Sequence, residues 1–385
     1  MFTKGDVLAG FRPLIGKGIF LNEGDSHRRQ RRLMQPAFHR ERIEGYGEAM
    51  LRHTARVDAG WAVGATIDMA AEMGDLTLTI AAETLFGADL SESDIQVVRD
   101  AMSTFALWYH QSTHPLGPIL QLLPVEATRK FKASKAALDA LVGRIVTERR
   151  ASGDRGDILS MLVFARDAEG DGAGMDDAHI HDEAVTLLVA GHETTAAALA
   201  WAWALLAEHP DVHDRLCAEV DAVCGAGPVT VADARRLPYT TGVFAEALRL
   251  YPVAPGMPRV PSRDVEIAGV AVPKGAIVML STWVTHHDPR WWPEPDAFRP
   301  ERWSAEQRAA RPKFSFFGFG GGARVCIGEA FAWMEGTLVL AHLARRWRPE
   351  RLSDAPIQTE SLFTLRPKGG LPMTLRATGP TPAAE

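Results

Sequence analysis

The chain has 385 residues, of which 46% are hydrophobic and 23% charged, so it has the composition of a folded globular protein with a core large enough for one or two domains. Its net charge of -6 supplies no basic field for a phosphate backbone, which argues against nucleic acid as a partner. Three cysteines are too few for a disulfide framework and do not have the spacing of zinc ligands, so a reducing compartment, the cytoplasm, is expected.

The N-terminal sequence lacks the basic, apolar and cleavage regions of a signal peptide. The longest apolar run, Ala196 to Ala207, covers 12 residues, fewer than the roughly 18 that suggest a membrane span. We interpret this run as part of a buried helix and expect no membrane-spanning segment.

The first two thirds of the chain carry apolar residues at helical spacing. This spacing predicts helices over His27 to Phe38, Arg42 to Trp61, Asp68 to Phe86, Ser91 to His110 and Val125 to Arg150. A longer helix is predicted from about Asp176 to Glu208, because acidic residues open it and its second half is apolar nearly all round. Such a helix should be central to the fold.

The last third of the chain mixes short elements. The pattern predicts helices at Tyr239 to Tyr251 and Ile327 to Arg346, strands at Val265 to Ile267 and Ala276 to Ser281, and a hairpin of Leu362 to Arg366 with Leu371 to Arg376. The stretch from Asp288 to Pro312 is rich in Pro, Trp and Arg and should be irregular. The expected fold class is mostly α with small β-sheets, in a single domain over residues 1–385.

The segment FFGFGGGARVCIG carries the most specific chemical signal. A glycine run allows close approach of the backbone, and a cysteine just ahead of a helix lies at the positive end of the helix dipole, where Arg324 also favours the thiolate. A thiolate ligand on haem iron promotes O–O cleavage. Two alternatives are a small buried Cys326 and a dinucleotide fingerprint at Gly318, Gly320 and Ala323, although we expect no strand with a terminal acidic residue after the helix.

This segment resembles the cysteine-loop pattern F-x-x-G-x-R-x-C-x-G of the cytochrome P-450 superfamily, with matches at Phe319, Gly322, Arg324, Cys326 and Gly328. The resemblance implies a fold with a long central helix and a Cys-ligand loop before a C-terminal helix, and haem b (iron protoporphyrin IX) as cofactor. It implies Cys326 as the iron ligand, Phe319 near the sulfur, Arg324 on a haem propionate and Gly328 leaving room under the ring.

The sequence AGHETT, Ala190 to Thr195, matches the same family's pattern [AG]-G-x-[DE]-T-T in the predicted central helix. Glycine in a helix interior costs about 1 kcal/mol relative to Ala, so Gly191 indicates an opening or a close approach. The adjacent acid and hydroxyl of Glu193 and Thr194 can hold water and relay protons to iron-bound oxygen. The alternative is a Ser/Thr kink beside an exposed Glu.

Glu246 and Arg249 of the sequence EALR lie three residues apart and share one helix face. In isolation such a pair is common on solvated faces. The resemblance implies a structural pair tied to the stretch FRPERW, Phe298 to Trp303, and we assign Glu246, Arg249 and Arg299 an architectural role.

Basic residues elsewhere match family positions that hold the two haem propionates, whose carboxylates need cations. The resemblance implies this role for Arg259 and for His27 with Arg31 in the sequence HRRQR, for which a solvated basic helix is the alternative. Arg28, Arg29 and Arg32 could then form a basic docking surface for an acidic electron carrier.

Substrate contacts follow from the family positions alone. They would involve Val185, Val189, Ala190 and Thr194, then Val253 and Ala254, and finally Leu362 and Phe363, with Phe105, Trp108 and Tyr109 as part of a lid. Plain core packing is the alternative for all of them. A mostly apolar lining favours a hydrophobic substrate.

The resemblance implies a monooxygenase that uses O2 and receives NAD(P)H-derived electrons from a ferredoxin or flavodoxin, because no flavin or iron–sulfur segment is fused. A peroxide-using or isomerising enzyme would have little need of Glu193 and Thr194, and a noncatalytic haem-binding protein is the third possibility. Only 26 residues precede His27, where the family has more, so either the start has been set at an internal Met or this is a shortened form. We expect the chain as given to be less stable or inactive. We expect a monomer.

Overall fold

The computed structural model describes residues 2–87, 90–112, 123, 125–167, 172–361 and 364–378. Its α-helices are α1 (Arg12–Ile15), α2 (Gly24–Met34), α3 (Arg40–Gly60), α4 (Met69–Phe86), α5 (Glu92–Ser112), α6 (Glu126–Ser152), α7 (Ile158–Phe164), α8 (Asp177–Glu208), α9 (Pro210–Cys224), α10 (Pro238–Leu250), α11 (Thr282–His286), α12 (Ala305–Ala310) and α13 (Glu329–Ala344). Its strands are β1 (Phe2–Thr3), β2 (Thr66–Asp68), β3 (Met257–Pro261), β4 (Val265–Ile267), β5 (Val270–Val272), β6 (Val278–Leu280), β7 (Trp347–Arg351), β8 (Thr359–Ser361), β9 (Leu365–Pro367) and β10 (Pro372–Ala377). The helix-rich arrangement with small antiparallel sheets confirms the predicted fold class.

The central helix α8 begins and ends at local sequence signals. The carboxylate of Asp176 accepts a hydrogen bond from the backbone N–H of His179 at 2.8 Å, and Pro210 opens the next helix. The apolar second half is buried, with Trp201 and Trp203 fully inaccessible. The helix runs unbroken through Gly191, which does not support an opening of the helix there; the alternative, a close approach at this glycine, stays a prediction.

The sequence analysis did not predict five of these helices as elements, namely α1, α7, α9, α11 and α12, the last of which lies in the stretch Asp288 to Pro312 that was expected to be irregular. In α7 the Asp157 side chain accepts from the Ser160 N–H at 2.7 Å and so caps the helix start. In α9 proline stands at the first helical position. Within the described ranges, no helix is both long and apolar enough to cross a bilayer.

The chain divides into two compact units, of which unit 1 consists of Met1–Ala37, Ala81–Ala190 and Gly256–Leu280. Its helices α5 and α6 pack together through aromatic side chains, with Trp108 stacked on Phe131 at a ring-centroid distance of 4.8 Å. Strand β3 lies between β1 and β6 in an antiparallel sheet, and β4 pairs with β5.

Unit 2 consists of Phe38–Ile80, Gly191–Pro255 and Ser281–Glu385. Its core helix α13 packs against α3 and α10, and β10 lies between β2 and β7 in an antiparallel sheet. The indole N–H of Trp201 donates to the Leu365 carbonyl at 2.9 Å, and the same indole stacks on Tyr251 at 3.8 Å. These contacts fix β9 against the second half of α8.

The predicted hairpin of Leu362 to Arg366 with Leu371 to Arg376 is wrong. Strand β9 pairs instead with β8, whereas β10 pairs with β2 and β7. The connecting Gly369 and Gly370 both have positive φ (79° and 89°), and a Cβ on Gly370 would lie 2.2 Å from the Asp68 carboxylate. Asp68 also accepts the Leu371 N–H at 2.8 Å, so this turn leads the chain into a second sheet.

Gly336 on α13 is required by its contact with α10. A Cβ at this position would lie 2.6 Å from ring atoms of Phe244, which is buried. We expect Gly336→Ala to lower the free energy of unfolding by about 1–3 kcal/mol through overpacking. Gly45→Ala on α3, where an added Cβ meets nothing within 4 Å, is the control and should stabilise the helix slightly. Equal effects of the two substitutions in urea denaturation would contradict this account.

Candidate active site and its support

Cys326 lies in a loop that is held by its own backbone. The Cys326 N–H donates to the Phe319 carbonyl at 2.9 Å, and the Gly320 N–H donates to the Phe317 carbonyl at 2.8 Å. Gly320 and Gly322 have φ values of 75° and 65°, which side-chain-bearing residues rarely adopt. The Cys326 side chain is exposed, so the alternative of a small buried hydrophobe is wrong.

The surroundings of the Cys326 sulfur fit an iron–thiolate bond to haem. Cys326 lies three residues before the start of α13, with Gly328 between them. Gly328 has no side chain, and a Cβ at this position would lie 4.0 Å from the Cys326 Sγ and 3.8 Å from the ring of Phe38. Phe319 packs on Trp333 of α13 with ring centroids 5.0 Å apart, which anchors the loop to the helix. Arg324 is half-buried in the same loop, in the 3₁₀ turn Gly322–Arg324.

The dinucleotide alternative needs a parallel strand on each side of the helix. A strand does follow α13, but this strand, β7, ends at Arg351 rather than at an acidic residue and is antiparallel to its neighbour β10. Within the described part of the chain no strand leads into the loop from the preceding Phe314 to Phe319. The geometry therefore does not support a βαβ unit here.

A fully buried ion pair, Glu246 with Arg249, stabilises the region around the cysteine loop. The Arg249 guanidinium donates twice to the Glu246 carboxylate, at 2.9 and 2.8 Å, and neither side chain is exposed. Trp303 donates its indole N–H to Glu246 at 2.8 Å, and Arg302 lies 3.2 Å from the same carboxylate. These donors satisfy the hydrogen-bonding capacity of the buried Glu246 carboxylate.

The third charged side chain of this cluster is Arg302, whereas the sequence analysis chose Arg299. Arg299 contributes only its backbone N–H, at 3.2 Å from Glu246, and its side chain pairs with Glu294 at the surface. Both arginines lie in the motif FRPERW, and the turn Pro300–Trp303 sends the second one inward. The motif alone does not show which of its two arginines the 3₁₀ turn directs towards Glu246.

Arg249 also organises the irregular stretch that precedes the cysteine loop. Its guanidinium donates to the carbonyls of His286, Pro295 and Ala297 at 2.8, 2.6 and 3.1 Å. The side chain of His286 in turn accepts the Phe317 N–H at 3.1 Å and stacks on Phe316 at 4.8 Å. Burial lowers the pKa of His286 to about 3, so it stays neutral and keeps its acceptor lone pair. The sequence offered no signal for this histidine.

Glu193 of α8 lies beside β9 in unit 2. Its Oε1 accepts a hydrogen bond from the Thr364 hydroxyl at 3.0 Å and lies 3.8 Å from Arg366 Nη1. The Glu193 side chain is 15% exposed, and Thr194, the next residue, is half-buried. An acid that reaches solvent next to a hydroxyl is the arrangement a proton relay needs. Thr364 carried no recognisable motif.

Three of the predicted propionate-binding residues, His27, Arg31 and Arg259, lie in unit 1. His27 is buried in α2, the Arg31 Nε donates to the Gln35 side chain at 2.9 Å, and Arg259 in β3 donates to the Pro258 carbonyl at 2.8 Å. Of the predicted substrate contacts there, Val189 is buried and Ala190 is exposed although it belongs to a mostly buried helix. These assignments rest on the family pattern and remain predictions.

The basic docking surface is weaker than the sequence suggested. Arg29 and Arg32 both pair with the buried Asp167, at 3.4 and 2.8 Å, and Arg28 pairs with Asp25. The buried Asp167 thus partly neutralises Arg29 and Arg32, whereas Arg28 is paired at the surface.

The remaining predicted substrate contacts divide into three groups. In unit 2, Val253 is buried with its carbonyl bonded to the Leu365 N–H at 2.9 Å, and Ala254 is exposed. Leu362 and Phe363 lie outside the described residues. The lid assignment of Phe105 and Trp108 is wrong, because both are buried in the aromatic packing between α5 and α6.

The comparisons with known proteins agree with the motifs. A family model described as Cytochrome P450 matches residues 4–372. The protein named Cyclooctatin synthase from Streptomyces melanosporofaciens is 40% identical over 94% of this chain and 79% of its own length, and Cyclooctat-9-en-7-ol 5-monooxygenase from the same organism is 37% identical over 90% and 76%. The crystal structure of the cytochrome P450DA heme domain aligns with a TM-score of 0.88 and 28% identity, over 98% of this chain and 84% of that one.

Proposed function

Because the chain belongs to the cytochrome P450 family and is therefore a haem-thiolate monooxygenase, we propose that it inserts one oxygen atom of O2 into a small hydrophobic substrate, with electrons supplied by a separate protein. The balanced reaction takes one substrate, one O2, two electrons and two protons to the hydroxylated product and water. The electrons derive from NAD(P)H and arrive through a ferredoxin or flavodoxin. We further propose that the enzyme works as a cytoplasmic monomer.

The exposed Cys326 thiol on its backbone-locked loop is the observation that carries this proposal. Cys326 would bind the iron of haem b, Gly328 would leave room for the ring, Phe319 would pack near the sulfur and Arg324 would neutralise a propionate. Haem bound through a thiolate supplies the electron donation that promotes O–O cleavage.

Glu193 and Thr194 would supply the two protons that the reaction consumes. Glu193 exchanges protons with solvent because it is partly exposed, and the adjacent Thr194 hydroxyl passes them on. A peroxide-using enzyme receives its oxygen already protonated and has no need of this pair. The compound in the name of the 37% identical relative, cyclooctat-9-en-7-ol, is a reasonable first member of a hydrophobic substrate screen.

Replacing Thr194 with Ala tests the relay. We expect the ratio of product formed to O2 consumed, with reductase and ferredoxin, to fall by about tenfold or more, since general acid catalysis contributes roughly 10²–10⁴. Peroxide-driven turnover should change little. Thr147→Ala is the control, because Thr147 is an exposed helical threonine on α6 whose hydroxyl donates to the Gly143 carbonyl. Unchanged coupling in Thr194→Ala would remove the relay from the mechanism.

A further inference from the structure

A short segment of unit 1, residues 15–19, lies across the first half of α8, and we call it the strap. Its backbone is bound by acidic side chains of the helix. The Lys17 N–H donates to the Asp182 carboxylate at 2.7 Å, and the Ile19 N–H donates to Glu183 Oε2 at 2.9 Å. Two successive acids of α8 therefore hold two alternate residues of the strap.

Two glycines allow the strap to lie this close to the helix. A Cβ on Gly18 would overlap the Thr186 hydroxyl, and a Cβ on Gly16 would overlap the Asp182 carboxylate. Gly16 also has a φ of 55°, which residues with side chains rarely adopt. The Thr186 hydroxyl lies 3.4 Å from the Ile15 carbonyl. The strap is thus in direct contact with one turn of α8.

The carboxyl group of Glu183 is buried beneath this strap. The side chain has no exposed surface, and within the described part of the chain its Oε1 has no hydrogen-bond partner. A buried carboxylate that lacks a cation and a full set of donors costs far more than the neutral acid. Burial, with the nearby charge of Asp182, raises the pKa of Glu183 to about 8, although the Ile19 N–H opposes the shift. Glu183 therefore keeps its proton at neutral pH while the strap covers it.

Other groups near this contact can also carry charge. They lie on α8, α6, α2 and the strap, and they are Asp182, His181, Asp139, His27 and Lys17. The His181 ring lies 3.7 Å from Asp182 and 3.3 Å from Asp139 of α6, so it faces those two acids. Helix α2 holds the Lys17 carbonyl through Gln30 at 3.1 Å and carries the buried His27 one turn away. Among these groups, Asp182 is the one whose charge acts on Glu183, and it opposes ionisation.

We propose that Glu183 is a proton-controlled latch, whose neutral form keeps the strap closed on α8 and whose ionised form releases it. The acid gives its proton to a base of the buffer, and the resulting carboxylate is solvated only when the strap moves away. Release uncovers the turn of α8 that carries Val185, one of the predicted substrate contacts. The latch itself does not depend on the reaction, whereas its use in admitting a substrate rests on the proposed function.

The direction of the pH dependence follows from the two states of Glu183. With the strap open, the exposed acid has its ordinary pKa of 4.5, and with the strap closed its pKa is about 8. The closed form therefore binds more protons between these two values, and opening becomes about tenfold more favourable with each pH unit from about 5 to 8. Above pH 8 both forms are ionised, so the opening equilibrium should change no further.

Hydrogen exchange of the Ile19 amide in the haem-loaded protein measures this opening. We expect its protection factor, which is corrected for the intrinsic exchange rate, to fall about tenfold per pH unit between pH 5 and 8. Leu371 supplies the reference amide, because its N–H donates at 2.8 Å to the exposed carboxylate of Asp68. Its protection should stay constant. In Glu183→Gln, a neutral side chain keeps an acceptor for Ile19, so the protection of Ile19 should no longer depend on pH.

Gly18→Ala tests the strap without changing the acid. The added Cβ collides with Thr186, so we expect the Ile19 amide to exchange at least tenfold faster than in the wild type at pH 5. Gly143→Ala on α6 is the control, because a Cβ at this helical position meets nothing within 4 Å. The control should leave exchange of the Ile19 amide unchanged.

The use of the latch is tested with 4-phenylimidazole, an apolar compound that binds ferric haem iron and shifts its Soret band. Stopped-flow mixing gives the association rate for the wild type and for Glu183→Gln at each pH. Comparison of the two proteins removes the titration of the probe itself. The ratio of the wild-type rate to the Glu183→Gln rate should rise at least tenfold between pH 5 and 8.

The outcomes separate the latch from its use and from the reaction. Ile19 protection that does not change with pH in the wild type, or that changes equally in Glu183→Gln, would overturn the latch even if Gly18→Ala did not fold. A pH-dependent latch with a constant ratio of association rates would overturn its role in substrate entry alone. A protein that shows the latch but forms no product from O2 with redox partners would overturn the proposed function and leave the latch standing.

Discussion

The Cys326→Ala protein is expected to lose the red-shifted Soret band that the carbon monoxide complex of a reduced haem-thiolate protein shows. All three cysteines lie in the described part of the chain, and Cys326 is the one whose side chain is exposed. It also lies on the loop whose geometry fits an iron–thiolate bond. A difference spectrum of the purified protein, reduced and exposed to carbon monoxide, measures the change. We expect complete loss of the band and of O2-driven turnover.

Cys217→Ala is the control for this experiment. Burial raises the pKa of the Cys217 thiol to about 12, and its sulfur donates to the Ala344 carbonyl at 3.2 Å, so it remains a thiol within the core. The Cys217→Ala protein should keep the band. A thiolate band that survives in Cys326→Ala would refute the assignment of the axial ligand.

Glu246→Gln is expected to cost about 3–5 kcal/mol of unfolding free energy, the range for breaking a buried ion pair from one side. The substitution preserves shape but removes the charge that faces Arg249 and Arg302, and a carboxamide oxygen cannot replace both carboxylate oxygens as acceptors. Urea or thermal denaturation of the haem-loaded protein measures the loss. Haem occupancy should fall too, because the cluster supports the cysteine loop.

Glu294→Gln serves as the comparison, because Glu294 pairs with Arg299 at the surface with both side chains more than half exposed. Exposed pairs contribute about 0–1 kcal/mol, so this variant should unfold close to the wild type. If Glu246→Gln were equally mild, the buried cluster would not be the support that its geometry indicates.

The sequence predicted the helices well because their signals are local. Apolar spacing, an opening acid or proline and a closing turn lie within each segment, and α8 begins within one residue of its predicted start. The strands were harder, because β10 pairs with β2, whose Asp68 lies some 300 residues earlier in the chain. No local sequence pattern predicts a partner strand that is so far away along the chain.

The candidate site, like the fold, was predictable only where the signal is local in sequence. Cys326, Glu193, Glu246 and Arg249 stand in short motifs, so their types and order could be recognised. The side chains that orient them could not, since Thr364 and His286 meet Glu193 and the cysteine loop only through tertiary packing. The choice of Arg299 over Arg302 failed for a similar reason, because the motif contains both and only the turn geometry distinguishes them.

The carbonyl contacts of Arg249 have a consequence for the order of folding. Glu246 and Arg249 are three residues apart and can meet as soon as α10 forms, but the carbonyls of His286, Pro295 and Ala297 come 37, 46 and 48 residues later. Contacts of such separation form after loop closure and therefore late. The stretch before the cysteine loop has little regular structure of its own. We therefore expect Cys326 to reach its final position only after the stretch before its loop has packed against α10.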